Sequence, residues 1–199
     1  MIILDVEMSG INPEKNSIVS IGAVDFKNPS RRFYGECKVW EGAHITEEAL
    51  SVNGYTKEKL LDDTKQTAGE LLQSFIDWAG LCEEYTLAGQ NPGTDLWFLE
   101  STAFKFKIMW PFSHRSFDLH TVCASHMIKR GIELPVMNNR SNINSDFIMK
   151  YVGIPTEPKP HIAINGAIYE AEAFSRLLYG NNLLPEFAEF PIPFNLEKK

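Results

Sequence analysis

The sequence is short of basic residues. It has 19 Lys and Arg residues against 26 Asp and Glu, which gives a formal net charge of -7. This argues against tight, non-specific binding along nucleic-acid duplexes, because that affinity comes from many basic contacts to phosphate. A site that binds a few nucleotides through metal ions stays compatible with the charge, since an acidic cluster that holds cations contributes to the negative total.

Cysteine and long apolar runs are also scarce. Cys37, Cys82 and Cys123 are odd in number and far apart, which supports neither a disulfide framework nor a zinc site, so we expect buried thiols. No stretch approaches the roughly 20 apolar residues that span a bilayer, and the N-terminus does not resemble a signal peptide. We therefore expect a cytoplasmic protein that does not contact a membrane.

The 199 residues, 44% hydrophobic and 23% charged, have an ordinary globular composition. Three successive β-branched segments predict an antiparallel meander, and helical spacing alternates with short apolar runs in the rest of the chain. The predicted strands are 2–7, 17–26, 31–39, 85–89 and 116–119, and the predicted helices are 46–50, 56–60, 67–82, 95–106, 121–130, 142–152 and 162–179. This order predicts an α/β fold in which helices cover a mixed sheet.

The predicted domain comprises residues 1–180. Residues 181–199 contain three prolines, and we expect them to form a tail that packs on the domain through Phe187, Phe190 and Phe194. The polar segment 131–144 is predicted to be a surface loop.

Two acidic residues, Asp5 and Glu7, lie in the apolar first strand. The alternation of a strand places both carboxylates on one face, about 7 Å apart along the strand. Such a pair repels, and it is tolerated most readily when a divalent cation lies between the two groups. The alternative is an edge strand whose two carboxylates face water.

Two later segments carry further candidate residues. Asp95 lies in the first turn of a helix that follows a short strand, and ligand sites in α/β sheets lie at the carboxyl ends of strands. The alternative is an ordinary role near a helix start. His161 follows a proline and opens a helix of small residues; its alternative is a structural histidine.

Together the three segments resemble the DEDDh family of 3′-to-5′ exonucleases, the group that includes oligoribonuclease, ribonuclease T and proofreading subunits. Asp5 and Glu7 match the DxE motif, and Asn91 and Asp95 match the N-x-x-x-D motif. His161 matches the start of the H-x-A-x-x-D-A motif. The resemblance covers roughly residues 1–180 and implies a ribonuclease-H-like fold with a mixed five-stranded sheet, an antiparallel meander plus parallel strands.

One position departs from the family pattern, because Gly166 stands where the third motif has aspartate. We favour Glu170 as the substitute, since it lies one turn further along the helix and about 40° around it. The alternatives are a water or substrate oxygen in the gap, or a weaker metal site. Glu170 and Glu172 can also be read as a solvated helix face.

The resemblance implies two Mg²⁺ or Mn²⁺ ions about 3.5–4 Å apart in a phosphodiester-cleaving site. Asp5 would bridge both ions, Glu7 and Glu170 would complete the site of the ion that binds the attacking water, and Asp95 would support the second ion. His161 would take the proton from the water.

The expected substrate is the 3′ end of single-stranded RNA or DNA, or a short oligonucleotide. Backbone donors of Met8, Ser9 and Gly10 would bind the terminal 3′-hydroxyl, and Met8 would contact the last base. Trp97 is a stacking candidate, with core packing as its alternative, and Asn91 completes the predicted substrate contacts. A catalytically degenerate protein that binds nucleic acid or a protein partner is the alternative function, and the sequence leaves a homodimer open.

Overall fold

The computed structural model describes residues 1–196; Glu197, Lys198 and Lys199, the end of the predicted tail, lie outside the described residues. Five strands form one mixed sheet in the order β3-β2-β1-β4-β5. Strand β1 pairs antiparallel with β2 and parallel with β4, and β4 pairs parallel with β5. The strands are β1 (Ile2–Met8), β2 (Ile18–Asp25), β3 (Arg32–Glu36), β4 (Leu87–Gly89) and β5 (Ser116–Asp118). The predicted α/β fold class is confirmed.

The first seven helices agree with the sequence-based prediction to within a few residues at each end, whereas the last helix and a 3₁₀ turn in the tail were not predicted. The helices are α1 (Glu47–Asn53), α2 (Lys57–Leu60), α3 (Ala68–Ala79), α4 (Gly93–Phe106), α5 (Leu119–Lys129), α6 (Ser145–Val152), α7 (Ala163–Tyr179) and α8 (Pro193–Leu196), with a 3₁₀ turn at Pro185–Phe187. Local capping explains several helix starts. Thr67, for example, forms a reciprocal capping box with Glu70 at the start of α3.

The segment 131–144 is not simply a loop, because it contains a small hairpin of β6 (Val136–Met137) and β7 (Arg140–Ser141). Asn138 and Asn139 form its turn and both have positive φ angles, a backbone conformation that asparagine tolerates. Strands of two exposed residues carry no alternation of polar and apolar side chains, so the sequence did not predict them.

Strand β1 lies at the centre of the sheet and is covered on both faces. Ile3 packs in the core on the α5, α6 and α7 side, whereas Ile2, Leu4 and Val6 pack in the core on the α3 and α4 side. The alternative of a solvated edge strand for Asp5 and Glu7 is therefore wrong.

Helix α7 lies unusually close to the sheet at Gly22. A Cβ atom at this position would overlap the backbone of Ala163 and Ile164, so the small residue allows the first turn of α7 to rest on β2. Because Gly22 pairs directly with Asp5 across the β1–β2 ladder, this approach brings the start of α7 beside the acidic pair.

A buried ion pair joins α7 to the tail. The side chains of Glu172 and Arg176 are both fully buried, with 2.7 Å between Oε1 and Nε. Arg176 also donates to the carbonyl oxygens of Val152, Phe187 and Phe190. The interpretation of Glu172 as part of a solvated helix face is thus wrong, because this carboxylate lies under the tail.

The tail itself packs on the domain. Phe187 and Phe194 are buried and Phe190 is partly buried against the α7 side of the core, while the boundary at residue 180 stays a prediction. All three cysteines are buried and free of disulfides, which confirms the expectation of buried thiols. Within residues 1–196, no helix has both the length and the apolar character needed to cross a bilayer.

Candidate active site

Asp5 and Glu7 project from β1 toward α7. Asp5 is partly exposed, whereas Glu7 is only 9% exposed. Glu7 accepts no hydrogen bond and forms no ion pair with any residue that the structure describes. A nearly buried carboxylate without a partner is costly unless a cation or a proton neutralises it.

Asp95 reaches the same strand from α4. Its Oδ1 accepts a hydrogen bond from the backbone N–H of Val6 at 3.1 Å. Asp95 does not cap its own helix, because the N-cap is Pro92 and the helix has no side-chain cap. The side chain is buried, so Asp95 is not a helix cap, although it remains an acidic residue in the first turn of α4. The charges of Asp5 and Glu7 both act on it, so it lies beside them.

Glu170 lies on the same side of the cluster as Asp95. Its Oε2 accepts a hydrogen bond from the backbone N–H of Gln90 at the end of β4, at 3.0 Å. The side chain is buried, so the interpretation of Glu170 as a solvated residue is wrong. At Gly166, one turn earlier, a Cβ atom would overlap the carboxylate of Asp5.

His161 lies just before α7, and its ring is partly exposed. Nδ1 lies 3.3 Å from Oε2 of Glu157, whose side chain is 7% exposed. The backbone N–H of Ile162 donates to Oε1 of the same glutamate at 3.4 Å. Glu157 therefore contacts both His161 and the residue that precedes α7.

The sequence reasoning missed Glu157. It lies in the segment Pro155–Pro160, which is rich in proline and follows no helical or strand pattern. Its spacing of four residues from His161 was the available signal, because a carboxylate at that distance can pair with a histidine even outside a helix.

The carboxylates of Asp5, Glu7, Asp95 and Glu170 lie close enough for their charges to repel one another. Loss of water around the carboxylate, followed by the charge of Glu157, raises the pKa of Asp5 to about 7. Burial, then the charges of Asp5 and Glu157, raises the pKa of Glu7 to about 8. Burial and the charge of Asp5 also raise the pKa of both Asp95 and Glu170 well above the ordinary range.

The donor set fits a hard divalent cation. Carboxylate oxygens are the ligands that Mg²⁺ and Mn²⁺ prefer, and no Lys or Arg within residues 1–196 pairs with any of the five carboxylates. No three His, Cys, Asp or Glu side chains of the described residues already converge closely enough to hold a metal ion. Cation binding would therefore require the carboxylates to draw together.

Met8, Ser9 and Gly10, at the end of β1 and just after it, were predicted to contact the substrate. Ser9 is buried, its N–H donates to the Ser17 carbonyl and its hydroxyl to the His44 carbonyl. These bonds remove Ser9 from the donors predicted for a 3′-hydroxyl. Met8 and Gly10, by contrast, line a cavity of about 240 Å³ with Glu7 and residues of α1. A cavity thus opens directly beside the acidic cluster.

The other predicted substrate residues lie on the α4 side. Asn91 is exposed, with a positive φ angle, and its N–H donates to Oδ1 of Asp118 at 3.1 Å. Trp97 is 53% exposed and lines a groove of about 720 Å³. Core packing is therefore the wrong interpretation for Trp97.

The chain matches a known protein family and is similar in fold to solved structures. A family model described as Exonuclease (RNase_T) matches residues 2–174, and no curated protein sequence gives a match. The solved structure of cell-death related nuclease 4 has a TM-score of 0.70 and 18% identity, and the match covers 91% of this chain and 64% of that one.

Two further solved structures are similar in fold. The nuclease domain of 3′hExo, a DEDDh family member bound to rAMP, has a TM-score of 0.69 and 17% identity over 92% of this chain and 93% of its own. E. coli Exonuclease I in complex with a dT13 oligonucleotide has a TM-score of 0.69 and 14% identity over 88% of this chain and 40% of its own.

This chain thus spans less than two thirds of the nuclease 4 and Exonuclease I chains, and almost all of the 3′hExo nuclease domain. The TM-scores show a shared fold in spite of the low identities, and the family match extends over Asp5, Glu7, Asp95 and His161. The chain belongs to the exonuclease family, as the resemblance predicted.

Proposed function

We propose that this protein is a metal-dependent 3′-to-5′ exonuclease that hydrolyses single-stranded or short RNA or DNA. The observation that carries the proposal is a group of buried or partly buried carboxylates that have no Lys or Arg partner among the described residues. They come from β1, α4 and α7, and a partly exposed histidine precedes α7. The fold by itself does not require these carboxylates and the histidine to lie close together, so their proximity is evidence for a shared function.

Asp5, Glu7 and Asp95 are the proposed cation ligands, and Glu170 adds negative charge on the Asp5–Asp95 side. Two Mg²⁺ or Mn²⁺ ions bound there would activate the attacking water and neutralise charge on the scissile phosphate. The chain's own contribution is to orient these oxygens and to remove the proton. His161 would accept the proton of the attacking water as the bond between phosphorus and the 3′ oxygen of the preceding nucleotide breaks. That oxygen would take a proton from solvent, and His161 would return its own proton to solvent.

The cavity beside Glu7 suits the last nucleotide of the strand. Met8 and Gly10 line it, so the terminal base would contact Met8 while the scissile phosphate, on the 5′ side of the same nucleotide, would face the acidic cluster. The solved structures of 3′hExo bound to rAMP and of Exonuclease I bound to dT13 support a nucleotide ligand for this fold.

Gly166 supports one other function. A protein that lacks the family's fourth acidic residue could bind nucleic acid without cleaving it. The buried carboxylates argue against this alternative, because a protein that only binds a polyanion gains nothing from negative charge at the binding site.

The test is incubation of 5′-labelled single-stranded RNA and DNA with Mg²⁺, Mn²⁺ or EDTA. We expect a ladder of progressively shorter labelled products with either metal, and none from a circular single strand, which has no 3′ end. Asp5→Ala and His161→Ala should abolish the ladder, and the exposed control Glu133→Ala should leave it unchanged. An unchanged rate for Glu170→Ala would remove that residue from the cation site. Binding without shortening in every metal would instead support the degenerate protein.

A further inference from the structure

We propose that the hydroxyl of Ser20 donates a hydrogen bond to the carboxylate of Glu7 and thereby holds this carboxylate in position for a cation. This inference rests on the proposed function, because Glu7 is one of the proposed cation ligands. It assigns a positioning role to a residue of β2 that lies outside the three family motifs.

Ser20 lies directly opposite Glu7 in the sheet. The two residues are partners in the antiparallel ladder of β1 and β2, so their side chains leave the sheet on the same face. Cβ atoms of such partners lie about 4.5–5.5 Å apart, which places a serine hydroxyl within reach of a glutamate carboxylate. The next pair on this face is Asp5 and Gly22, and Gly22 faces the first turn of α7. Ser20 and Glu7 therefore lie on the face that α7 covers.

Both side chains lack a hydrogen-bond partner. Ser20 is 0% exposed, and its hydroxyl forms no hydrogen bond within residues 1–196. Glu7 is 9% exposed and accepts no hydrogen bond from those residues. A buried hydroxyl and a buried carboxylate are each costly without a partner, and the first is a donor while the second only accepts. A change of rotamer at either residue can form this bond without a movement of the strands.

A second carboxylate lies on the other side of Ser20. Glu36 of β3 is the partner of Ser20 in the β2–β3 ladder. The Tyr34 hydroxyl donates to Oε1 of Glu36 at 2.6 Å, and the Lys65 ammonium donates to Oε2 at 2.7 Å. Glu36 thus has a donor at each oxygen. Glu7 is the neighbouring carboxylate that lacks what Ser20 can supply.

Tyr55 is a further hydroxyl near Ser20. Burial raises the pKa of Tyr55 to about 12, and the Ser20 hydroxyl acts on it in the opposite direction. A hydroxyl has one hydrogen to donate and two lone pairs that accept. Tyr55 can therefore donate to the Ser20 oxygen while Ser20 donates to Glu7, so the two contacts are compatible.

A neutral donor suits this position beside a cation ligand. A Lys or Arg at position 20 would neutralise Glu7 and compete with a cation, whereas a hydroxyl orients the carboxylate and leaves its charge available. Groups that hydrogen-bond to metal ligands fix the orientation of those ligands, and their removal costs about 10- to 100-fold in metal affinity or activity. Loss of the Ser20 hydroxyl should therefore weaken cation binding although no ligand is removed.

The experiment is Mn²⁺ binding to the full chain without substrate, measured by calorimetry and by the electron paramagnetic resonance signal of free Mn²⁺. We expect Ser20→Ala to weaken Mn²⁺ binding by about tenfold or more. The matched control is Ser175→Ala, which removes the hydroxyl of a buried serine near the end of α7 and should bind Mn²⁺ as the unaltered chain does. Circular dichroism of each variant checks that the fold is intact.

Two further comparisons separate positioning from an effect on packing. Ser20→Thr and Ser20→Val have nearly the same shape and differ in the hydroxyl, so any overpacking is common to both. The threonine variant should bind Mn²⁺ about tenfold more tightly than the valine variant. In a Glu7→Ala background, Ser20→Ala should have little further effect on Mn²⁺ affinity, because the carboxylate that Ser20 positions is absent.

Unaltered Mn²⁺ affinity in Ser20→Ala would overturn the inference and would mean that the hydroxyl serves Tyr55 alone. Equal affinities of Ser20→Thr and Ser20→Val would also overturn it, as would an equal effect of Ser20→Ala with and without Glu7, because each result would assign the loss to packing. Absence of Mn²⁺ binding by the unaltered chain would overturn the proposed function and the inference with it, so the two failures are distinguishable.

Discussion

Asp95 Oδ1 accepts a hydrogen bond from the backbone N–H of Val6 at 3.1 Å. Val6 lies between Asp5 and Glu7, and the parallel pairing of β1 with β4 extends only to Ile3 and Ala88. Asp95, from α4, thus accepts a hydrogen bond from a backbone N–H of β1 that lies beyond the last residue paired with β4. One bond both fixes Asp95 and ties α4 to the segment that carries the acidic pair.

Asp95→Asn should separate stability from activity. The variant keeps the Oδ1 acceptor for Val6 but loses a charge that repels Asp5, so the metal-free protein should become more stable. Hydrolysis should fall by about 100-fold or more, because several kcal/mol of transition-state stabilisation depends on the metal ions. Thermal melting in EDTA and the rate of oligonucleotide shortening check the two effects. Full activity, or a lower melting temperature than the unaltered chain, would contradict the assigned role.

The metal-free protein should lose stability as the pH rises. The pKa of Asp5 is raised from 3.8 to about 7 and that of Glu7 from 4.5 to about 8, so the folded state holds protons that the unfolded chain has released. The protonated forms of both groups stabilise the folded state. This contribution to the free energy of unfolding is fully present below pH 3.8 and 4.5, the ordinary pKa values, and it is lost as the pH rises through about 7 and 8.

Melting temperatures in EDTA at intervals between about pH 5 and pH 8 test this trend. The double variant Asp5→Asn/Glu7→Gln should show a flatter profile, and saturating Mg²⁺ should raise the melting temperature of the unaltered chain most at the alkaline end. Identical pH profiles for the variant and the unaltered chain would show that these carboxylates do not carry the effect.

Part of the site could be predicted from the sequence because local rules govern it. Strand alternation fixes Asp5 and Glu7 on one face, and the end of a parallel strand fixes the approximate place of Asp95. The close contact between Gly22 and Ala163 could not be predicted, because it depends on how α7 crosses the sheet.

The residues that the sequence did not place depend on tertiary contacts. Glu157 lies in an irregular segment whose path depends on distant contacts such as the hydrogen bond from the His161 N–H to the Val52 carbonyl. Glu172 was predicted to be solvated because the tail that covers it has no regular spacing of hydrophobic residues, so its packing could not be predicted from the sequence. The sequence suggested Ser9 as a hydrogen-bond donor to the substrate. In the structure the chain folds back at Ser17, and the N–H of Ser9 donates to the Ser17 carbonyl oxygen instead.

Gly22→Ala tests the close approach of α7. The new methyl group would overlap the backbone of Ala163 and Ile164, so we expect destabilisation of about 1–3 kcal/mol, typical of overpacked cores. Gly93→Ala is the matched control, since nothing lies within 4 Å of a Cβ there and alanine favours the helix. Urea unfolding should show a lower free energy of unfolding for Gly22→Ala and an unchanged or higher one for Gly93→Ala. Equal stability of the two variants would contradict the contact.

Arg176→Ala tests the buried pair beneath the tail. Removal of the guanidinium leaves the charge of Glu172 buried, with only the N–H groups of Leu183 and Leu184 as hydrogen-bond donors. This should cost about 3–5 kcal/mol of unfolding free energy. The exposed pair of Lys57 and Glu47 is the matched control, and Lys57→Ala should cost at most about 1 kcal/mol. Denaturant titration of both variants measures the difference. A small loss for Arg176→Ala would mean that the tail moves to admit water to Glu172.

Trp97 tests whether the groove along α4 contacts the substrate. The groove combines the exposed aromatic rings of Trp97 and Phe104 with two lysines and two glutamates, Lys105, Lys107, Glu14 and Glu100. Its charges balance, so the contact it offers to a nucleic-acid strand is stacking of bases on the rings. Stacking of one base on an aromatic side chain contributes about 1–3 kcal/mol. If a base stacks on Trp97 in both the bound substrate and the transition state, Trp97→Ala should raise KM by roughly 5- to 150-fold and leave kcat unchanged.

The length of the substrate sharpens this test. If the groove contacts only nucleotides upstream of the scissile bond, the unaltered chain and Trp97→Ala should hydrolyse a dinucleotide equally well. Trp97→Phe, which keeps a ring, should retain most of the affinity for long strands, and Tyr179→Ala, at an exposed ring on the end of α7, should change nothing. A KM for long strands that stays constant in Trp97→Ala would exclude the groove from the path of the strand and leave the cavity beside Glu7 as the whole binding site.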